Sequence, residues 1–272
     1  MLLKRVLTVA ILLPLFMAAL FLLPNLYWGI LLTGVIVVAA WEWGGLARYA
    51  VRGRALFCAV IGASAVLILI REHGGFATPL LYTPLGRAMY ALSAAFWIGI
   101  APAWLYYRWQ VRDPWLLGLI GWIVLVPCWH AMVWLQVPPT RLLLALGVVW
   151  VADTAAYFVG RRFGRRKLAP QLSPGKTWAG VWGAAGAVLV YWIVVWAVTP
   201  AGSVRLVSGL VLVLLMTLLS VAGDLFESWM KRVAGVKDSG DLLPGHGGLL
   251  DRVDGLTATL PLAALYFAYR LS

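Results

Sequence analysis

The sequence predicts an all-α, polytopic integral membrane protein with about nine transmembrane helices. Two properties support this fold class. The chain of 272 residues is 63% hydrophobic and 12% charged, whereas about 25% of the residues of a typical soluble domain are charged. In addition, its apolar segments approach the roughly 20 residues that a helix needs to cross a bilayer. Together these properties exclude a soluble globular protein.

Nine apolar segments are candidate spans, separated by short loops rich in Pro, Gly, Arg and Asp. They cover approximately residues 6–23, 27–47, 55–70, 87–106, 115–135, 141–160, 177–198, 206–229 and 250–270. The third segment is the shortest. No fixed-period repeat divides the chain, so we expect one integrated membrane unit, with N-terminal helices at residues 1–140 and a C-terminal catalytic region at residues 141–272.

The first segment resembles a signal peptide, because Lys4 and Arg5 precede an apolar run that ends at Leu23. However, no small-residue cleavage site follows the run, and further spans come after it. We therefore expect a retained first helix.

The distribution of basic residues predicts the orientation of the spans. Successive loops alternate between the two sides of the membrane, and the side richer in Lys and Arg is normally cytoplasmic. Of the 22 Lys and Arg residues, 17 fall on the side of the N-terminus and 5 on the other. We therefore expect a multi-pass protein of the inner, cytoplasmic membrane whose N-terminus and active site face the cytoplasm.

The formal net charge of +12 has two interpretations. A basic protein can bind nucleic acid, but basic residues of a membrane protein more often set its orientation and contact anionic lipid. We expect the lipid bilayer and no nucleic acid as a partner. Cys58 and Cys128 lie in apolar runs, so they do not indicate a disulfide framework.

A polar segment near the C-terminus, residues 228–254 with Asp224 just before it, contains the strongest functional signal. Asp224 and Glu227 form an acid pair spaced i, i+3, and Asp251 and Asp254 form a second pair at the start of the next helix. Mg²⁺ takes oxygen ligands and is commonly shared between one or two carboxylates and substrate phosphates. The two acid pairs are therefore candidate metal ligands.

Basic residues of the same segment are candidate phosphate-binding groups, because they would neutralise phosphate oxygens. They are Lys231, Arg232, Lys237, His246 and Arg252. Three glycines, Gly245, Gly247 and Gly248, would allow a ligand to approach the backbone and the N-terminus of the next helix. The alternative interpretation of such a segment is a solvated loop with snorkelling charges. The length and order of the pattern favour the functional interpretation.

Charged residues within the spans also indicate function, because they are costly there. Asp153 lies late in the sixth span, with Tyr157 one turn further on. For Glu42, at the end of the second span, we favour an interfacial acid. For His130 we favour a hydrogen-bonded core histidine over a metal ligand, since no set of His or Cys partners accompanies it.

The loop at residues 161–177 resembles a Walker A motif only in Gly175, Lys176 and Thr177. The position of the first glycine is occupied by Pro170, and a membrane helix rather than a strand precedes the loop. Instead, we expect Ser173 to be an N-cap and residue 174 to begin the seventh span. Lys176 and Thr177 would then lie at the positive end of a helix, where they could bind a triphosphate.

The polar segment resembles the signature of phosphatidate cytidylyltransferases, also called CDP-diacylglycerol synthases. The matching positions are Ser228, Met230, Lys231, Arg232, Lys237, Asp238, Gly240, Leu243, Pro244, His246, Gly247, Gly248, Leu249, Asp251, Arg252 and Asp254. The A-D-T-A-A-Y segment around Asp153 and the later K-L-A-P-Q-L-S-P-G-K-T-W segment are also similar to that family. The resemblance covers roughly residues 150–254 and extends to the N-terminal spans only in hydropathy.

This resemblance implies a membrane enzyme that joins CTP to phosphatidic acid and releases pyrophosphate. It also implies dependence on Mg²⁺, a monovalent cation such as K⁺ beside it, and a homodimer. Asp224 and Asp251 are then the expected metal ligands, with Asp254 as a further one. The expected phosphate-binding groups are Lys176, Lys231, Arg232, Lys237 and Arg252, while His246 organises the loop or donates to phosphate, and Ser173, Thr177, Ser228 and Asp153 are further substrate-binding candidates.

Two other functions compete with this one. A transferase that uses a CDP-alcohol would share the acids, the metal and the lipid substrate, but its full D-x2-D-G-x2-A-R motif is absent from the sequence, since Thr259 stands where the arginine should be. A transporter would be expected to place its charged site near the middle of the membrane, between repeated halves. In this chain the charges lie at the predicted ends of the spans.

Overall fold

The computed structural model describes residues 2–199, 205–242 and 247–271. Its helices are α1 (Leu2–Leu22), α2 (Asn25–Leu46), α3 (Val51–His73), α4 (Pro84–Ala95), α5 (Ala101–Tyr107), α6 (Pro114–Leu135), α7 (Pro139–Phe163), α8 (Trp178–Val198), α9 (Leu206–Ala234) and α10 (Leu250–Leu271). A π-helical turn, Phe96–Ile100, joins α4 and α5 into one span. A short 3₁₀ helix, Leu80–Tyr82, precedes α4.

The all-α membrane fold is confirmed. In the described part of the chain, seven helices are long and apolar enough to cross a membrane: α2, α3, the combined α4–α5 span, α6, α7, α8 and α9. With α1 and α10, these helices follow the order of the nine predicted spans. The third span, predicted to be short, is a helix of 23 residues.

Local sequence signals set several helix boundaries. Asp113 caps α6, because its Oδ1 accepts a hydrogen bond from Leu116 N at 2.7 Å, and Pro114 occupies the first helical position. At the other end of a helix, Gly235 terminates α9 with φ of 78°, a left-handed conformation that glycine adopts without steric cost.

The segment before α8 differs from the sequence-based expectation. Lys167–Ala169 (β1) and Ser173–Thr177 (β2) form an antiparallel hairpin, so Ser173 is not an N-cap and Pro174 is not helical. The cap is Thr177, whose hydroxyl accepts from Gly180 N at 3.1 Å. Ser173 and Thr177 are both residue types that cap helices well. Because Lys167 pairs with Thr177, the backbone stays extended as far as Thr177, and the helix begins only after it. Lys176 therefore lies on a strand.

Aromatic side chains connect α9 to the N-terminal half of the molecule. The ring of Phe226 lies 5.2 Å from that of Phe96, 5.7 Å from Trp97 and 5.6 Å from Trp104, measured between centroids. It also stacks on Trp43 of α2 at 6.5 Å. Phe226 lies between Asp224 and Glu227 in sequence, so this packing fixes the helix that carries the first acid pair.

Close packing of α9 against α10 brings the two acid pairs together. A Cβ atom added to Gly223 would lie 2.5 Å from the carbonyl oxygen of Asp254, so only glycine allows this approach. Small residues at helix interfaces allow such close contacts in membrane proteins. The crossing therefore places Asp224 beside the first turn of α10.

Several loops that carry many Lys and Arg residues, and are therefore predicted to lie on the same side of the membrane, meet at one end of the bundle. Arg48, after α2, donates to the carbonyl of Val233 at the end of α9, and Tyr49 donates to the carbonyl of Pro114. Trp229 Nε1 donates to Trp109 O at 2.9 Å. The 47–50, 108–113 and 231–242 segments thus form a common surface, which we call the signature end.

The opposite end has contacts of its own. Asn25 at the start of α2 donates through Nδ2 to Val133 O, at 2.8 Å, and to Gln136 Oε1, also at 2.8 Å, near the end of α6. Gln136 in turn donates to Leu20 O at 3.1 Å. The loops therefore alternate between the two ends, as expected of a multi-pass membrane protein.

Candidate active site

A cavity of about 530 Å³ opens at the signature end, between α7, the β-hairpin, the start of α8 and α9. It brings together five of the predicted site residues: Asp153, Ser173, Lys176, Thr177 and Asp224. We call it the hairpin cavity. Residues that are distant in sequence meet here because the hairpin brings Lys176 to Asp224 of α9.

Lys176 and Asp224 form the central ion pair of the hairpin cavity. Lys176 Nζ donates to Asp224 Oδ2, and the two side chains are 24% and 26% exposed. Asp153 of α7 lies within electrostatic range of both groups. The pair is therefore accessible to a ligand, and a ligand phosphate could replace Asp224 as the partner of Lys176.

The sequence analysis did not assign two basic residues of this cavity, Arg161 and Lys167. Arg161 Nη1 donates to Tyr157 Oη at 3.1 Å, one helical turn earlier in α7. Lys167 begins β1. The signal that could have identified them is their position in the R-R-F-G-R-R-K run, directly after the span that carries Asp153.

Thr177 lines the hairpin cavity, but its hydroxyl is already committed to capping α8. The side chain is buried, with 4% of its surface exposed. Thr177 therefore shapes the wall of the cavity by fixing the junction between the hairpin and α8.

A second cluster surrounds Lys231. Lys231 Nζ donates to Asp251 Oδ1 and, at 3.2 Å, to Glu227 Oε2 one turn earlier in α9. Asp251 Oδ2 accepts three further hydrogen bonds, from Ser239 N at 2.9 Å, Ser239 Oγ at 3.0 Å and Gly248 N at 2.9 Å. Both carboxylate oxygens of Asp251 are therefore occupied, and they tie the loop after α9 to the start of α10.

Asp254 connects the two clusters. Its carboxyl group lies within electrostatic range of both Glu227 and Asp224. Glu227 Oε1 is buried and has no hydrogen-bond partner in the described part of the chain. Carboxyl groups this close favour a proton or a cation near them, because bare like charges repel strongly where little water reaches.

The described residues contain no preformed group of three His, Cys, Asp or Glu side chains that could hold a metal ion. The acids still fit Mg²⁺, which is often bound by one or two carboxylates while phosphates and waters complete its coordination. Asp224, Glu227, Asp251 and Asp254 outnumber the lysines paired with them, Lys176 and Lys231. A cation bound by Asp224 would displace Lys176, and one bound by Asp251 would displace Lys231.

Glu42 is a site residue that the sequence analysis missed. It is not an interfacial acid, because only 5% of it is exposed. Its Oε1 accepts from Leu249 N at 2.9 Å and its Oε2 from Leu250 N at 2.8 Å. The single hydroxyl proton of Ser239 is shared between Glu42 Oε2, at 2.9 Å, and Asp251 Oδ2. A carboxylate of α2 thus caps α10 and holds the loop between α9 and α10, which we call the signature loop. The only sequence signal for this role was that Glu42 lies at the end of a span on the same predicted side of the membrane as the polar segment.

Other predicted phosphate-binding residues lie outside the hairpin cavity. Arg232, Lys237 and Arg252 are exposed at the signature end, and Ser228 is partly buried on α9. His246 falls between residues 242 and 247, outside the described residues. The roles predicted for these residues remain predictions.

The fold and the site define a polytopic membrane protein with basic and acidic side chains around a cavity at one end of its helical bundle. The sequence matches the cytidylyltransferase family over residues 3–270. It is 38% identical to the phosphatidate cytidylyltransferase of Pseudomonas aeruginosa, with 98% of each chain covered. It is 32% identical to that of Haemophilus influenzae over 100% of both chains. Identity to the Brucella suis enzyme of the same name is 50%, over 47% of each chain. The chain belongs to the cytidylyltransferase family.

Proposed function

We propose that this protein transfers the CMP moiety of CTP to phosphatidic acid, forming CDP-diacylglycerol and pyrophosphate for phospholipid synthesis. Full-length similarity to two phosphatidate cytidylyltransferases supports the choice of reaction. The observation that carries it in this chain is the hairpin cavity, where Lys176 and Asp224 form an accessible ion pair beside further basic residues. This cavity is large enough and polar enough for a nucleotide, and it lies at the ends of membrane helices, where a lipid phosphate can also arrive.

The chemistry requires positioning more than proton transfer. A phosphate oxygen of phosphatidic acid is already anionic at neutral pH, and it attacks the α-phosphorus of CTP. The bond between that phosphorus and the α,β-bridging oxygen breaks, and the electron pair leaves with pyrophosphate. In phosphoryl transfer, catalysis depends mainly on alignment of the reactants and stabilisation of charge on the phosphate oxygens.

Three basic side chains of the hairpin cavity would bind phosphate in this reaction: Lys176, Lys167 and Arg161. Lys176 would exchange its partner, leaving Asp224 for a triphosphate oxygen. Asp224 would then be available to hold a cation. Asp153 of α7 and Ser173 of the hairpin also line the cavity and would contact the nucleotide.

Mg²⁺, when bound, would neutralise the phosphate oxygens and favour departure of pyrophosphate. We propose that Asp224 and Asp254 hold it, and that Asp251 joins them only if Lys231 is displaced. The unsatisfied oxygen of Glu227 is the group that a second, monovalent cation such as K⁺ would neutralise. Arg232, Lys237, Arg252 and His246 would bind phosphates that enter along the signature loop.

We propose that the protein is a homodimer of the inner membrane. Its signature end and its N-terminus would face the cytoplasm, where CTP is made. The unequal distribution of Lys and Arg supports this orientation. After replacement of Cys58 and Cys128 by alanine, single cysteines can test it in intact cells. Arg165→Cys should be labelled only from the cytoplasm and Thr78→Cys only from outside. Labelling of both from one side would contradict the orientation.

The reaction is tested with purified protein, CTP labelled in the cytosine ring, and phosphatidic acid in mixed micelles. We expect labelled CDP-diacylglycerol and pyrophosphate in equal amounts, with no product after Mg²⁺ is chelated. Replacing phosphatidic acid with diacylglycerol should stop the reaction, because the attacking phosphate oxygen is then missing. Product formation from a CDP-alcohol instead of CTP would contradict the proposal and favour another lipid head-group transferase.

A further inference from the structure

A second cavity, of about 310 Å³, lies at the end of the bundle opposite the signature end. It is enclosed by the start of α2, the end of α3, the segment around Pro79, the end of α6 and the start of α7. We call it the distal cavity. Its walls contain Glu72, His130 and Arg141, and the proposed reaction uses none of them. Ionisable residues within membrane helices are costly and commonly mark a functional site.

A chain of hydrogen bonds fixes Glu72 in the distal cavity. Tyr90 Oη and His130 Nδ1 are 2.9 Å apart, and His130 Nε2 lies 3.3 Å from Glu72 Oε1. With the tyrosine donating to Nδ1, the Nε2–H remains to donate to Glu72. These bonds confirm His130 as a hydrogen-bonded core histidine.

The same oxygen of Glu72 also accepts from Leu80 N at 2.7 Å. All bonds to Glu72 from the described residues therefore converge on Oε1, and none involves Oε2. The side chain is 14% exposed, and the residue lines the distal cavity. One carboxylate oxygen is thus oriented by its partners and available to a hydrogen-bond donor.

Arg141 supplies the opposite charge. One of its five N–H donors, on Nη1, bonds to Val137 O at 2.9 Å, and no ion pair involves Arg141 in the described part of the chain. Tyr82 is its electrostatic neighbour, whereas Arg71 and His130 are the groups that act on Glu72. A carboxylate and a guanidinium therefore line one cavity without neutralising each other.

We propose that the distal cavity binds the head group of a zwitterionic phospholipid that carries a primary amine. Its ammonium group would donate to Glu72 Oε2, and its phosphate would accept from the guanidinium of Arg141, a geometry that suits phosphate oxygens. Trp134 and Tyr82 line the same cavity, and these residue types favour the head-group level of a membrane. A lipid is favoured over a soluble zwitterion because the cavity lies among helix ends. The proposal does not depend on the reaction at the signature end.

Native mass spectrometry of the purified full-length protein can test this binding. The protein is titrated with phosphatidylethanolamine, phosphatidylglycerol and soluble glycerophosphoethanolamine, the two lipids carrying the same acyl chains. We expect phosphatidylethanolamine to bind about tenfold more tightly than phosphatidylglycerol, since loss of one charged hydrogen bond has roughly that effect. Glycerophosphoethanolamine should bind more weakly than the lipid.

Two variants and one control assign the effect to the distal cavity. Glu72→Gln keeps a carbonyl oxygen for Leu80 N and His130 but removes the negative charge, so it should abolish the preference for the amine lipid. Arg141→Gln should weaken the binding of both lipids by about tenfold, and Arg141→Lys should retain part of that affinity. Arg87→Gln, an exposed residue of α4 outside the cavity, should change nothing. The variants should keep full turnover of CTP in detergent.

Three results would overturn the proposal. They are equal binding of the two lipids by the native protein, a preference for the amine lipid that survives Glu72→Gln, and binding of glycerophosphoethanolamine as tight as that of the lipid. If Glu72→Gln does not insert into the membrane, Arg141→Gln still decides the question. Loss of lipid preference with normal turnover separates this site from the proposed reaction.

Discussion

Asp224 and Asp251 each pair with a lysine, yet their surroundings differ. Asp224 is 26% exposed, pairs with Lys176 and lines the hairpin cavity. Asp251 is 5% exposed, and its two oxygens accept from Lys231, Ser239 and Gly248. The comparison suggests that one aspartate of the signature region is available to a ligand, whereas the other holds the loop that completes the site.

The largest expected effect is that of Asp224→Asn. Asp224 is proposed to bind the cation, so removing its carboxylate should lower kcat/KM by about a thousandfold or more. This is the upper end of the rate loss seen when a single catalytic group is removed. The thermal unfolding temperature without ligand should change little, because the side chain is partly exposed and makes few contacts. Turnover assays and unfolding curves on the same preparation check both statements.

Asp251→Asn should lower activity and stability together. Breaking a buried ion pair by removing one partner costs about 3–5 kcal/mol, and Asn cannot accept all the bonds of the carboxylate.

If both aspartates hold one cation, as the sequence predicts, the double variant should be scarcely less active than either single one. Multiplied losses in the double variant would show that the two residues act separately.

Lys176→Ala should reduce kcat/KM by about ten- to a thousandfold, as loss of one well-placed donor does elsewhere. The fold should persist, because Lys176 is partly exposed on a short strand. Lys231→Ala is the matched comparison, since Lys231 bonds two acids in a buried cluster. It should lower the unfolding temperature, whereas Lys176→Ala should not. Wild-type turnover and CTP affinity of Lys176→Ala would contradict its role.

The smallest of these effects is expected for Glu42→Gln. The amide retains one acceptor oxygen for the backbone of α10 and loses the other, so we expect about a tenfold loss of turnover and roughly 0.5–2 kcal/mol of stability, typical of a lost helix cap. Asp113→Asn, at the cap of α6, is the control and should leave turnover unchanged. Equal effects of the two variants on turnover would contradict a specific role of Glu42 in holding the signature loop.

The sequence predicted the features that depend on local composition and on the membrane. Apolar length identified the spans, and the distribution of Lys and Arg predicted that Lys176 and the loop between Asp224 and Asp251 lie on one side. The hairpin was not predicted, because Ser173-Pro174 is as compatible with a helix start as with a strand. Glu42 was missed because its partners, Ser239, Leu249 and Leu250, are about 200 positions away in the chain, and no local pattern encodes such a contact.

The most direct test of the contrast between Asp224 and Asp251 is the unfolding temperature of the native protein and of each Asn variant, with and without Mg²⁺ and CTP. Ligands that bind the native state raise the unfolding temperature. The account predicts that Asp224→Asn unfolds at the native temperature without ligand and gains nothing from Mg²⁺ and CTP, whereas Asp251→Asn unfolds at a lower temperature without ligand. Ligand stabilisation that persists in Asp224→Asn, or an equal loss of stability in both variants, would contradict it.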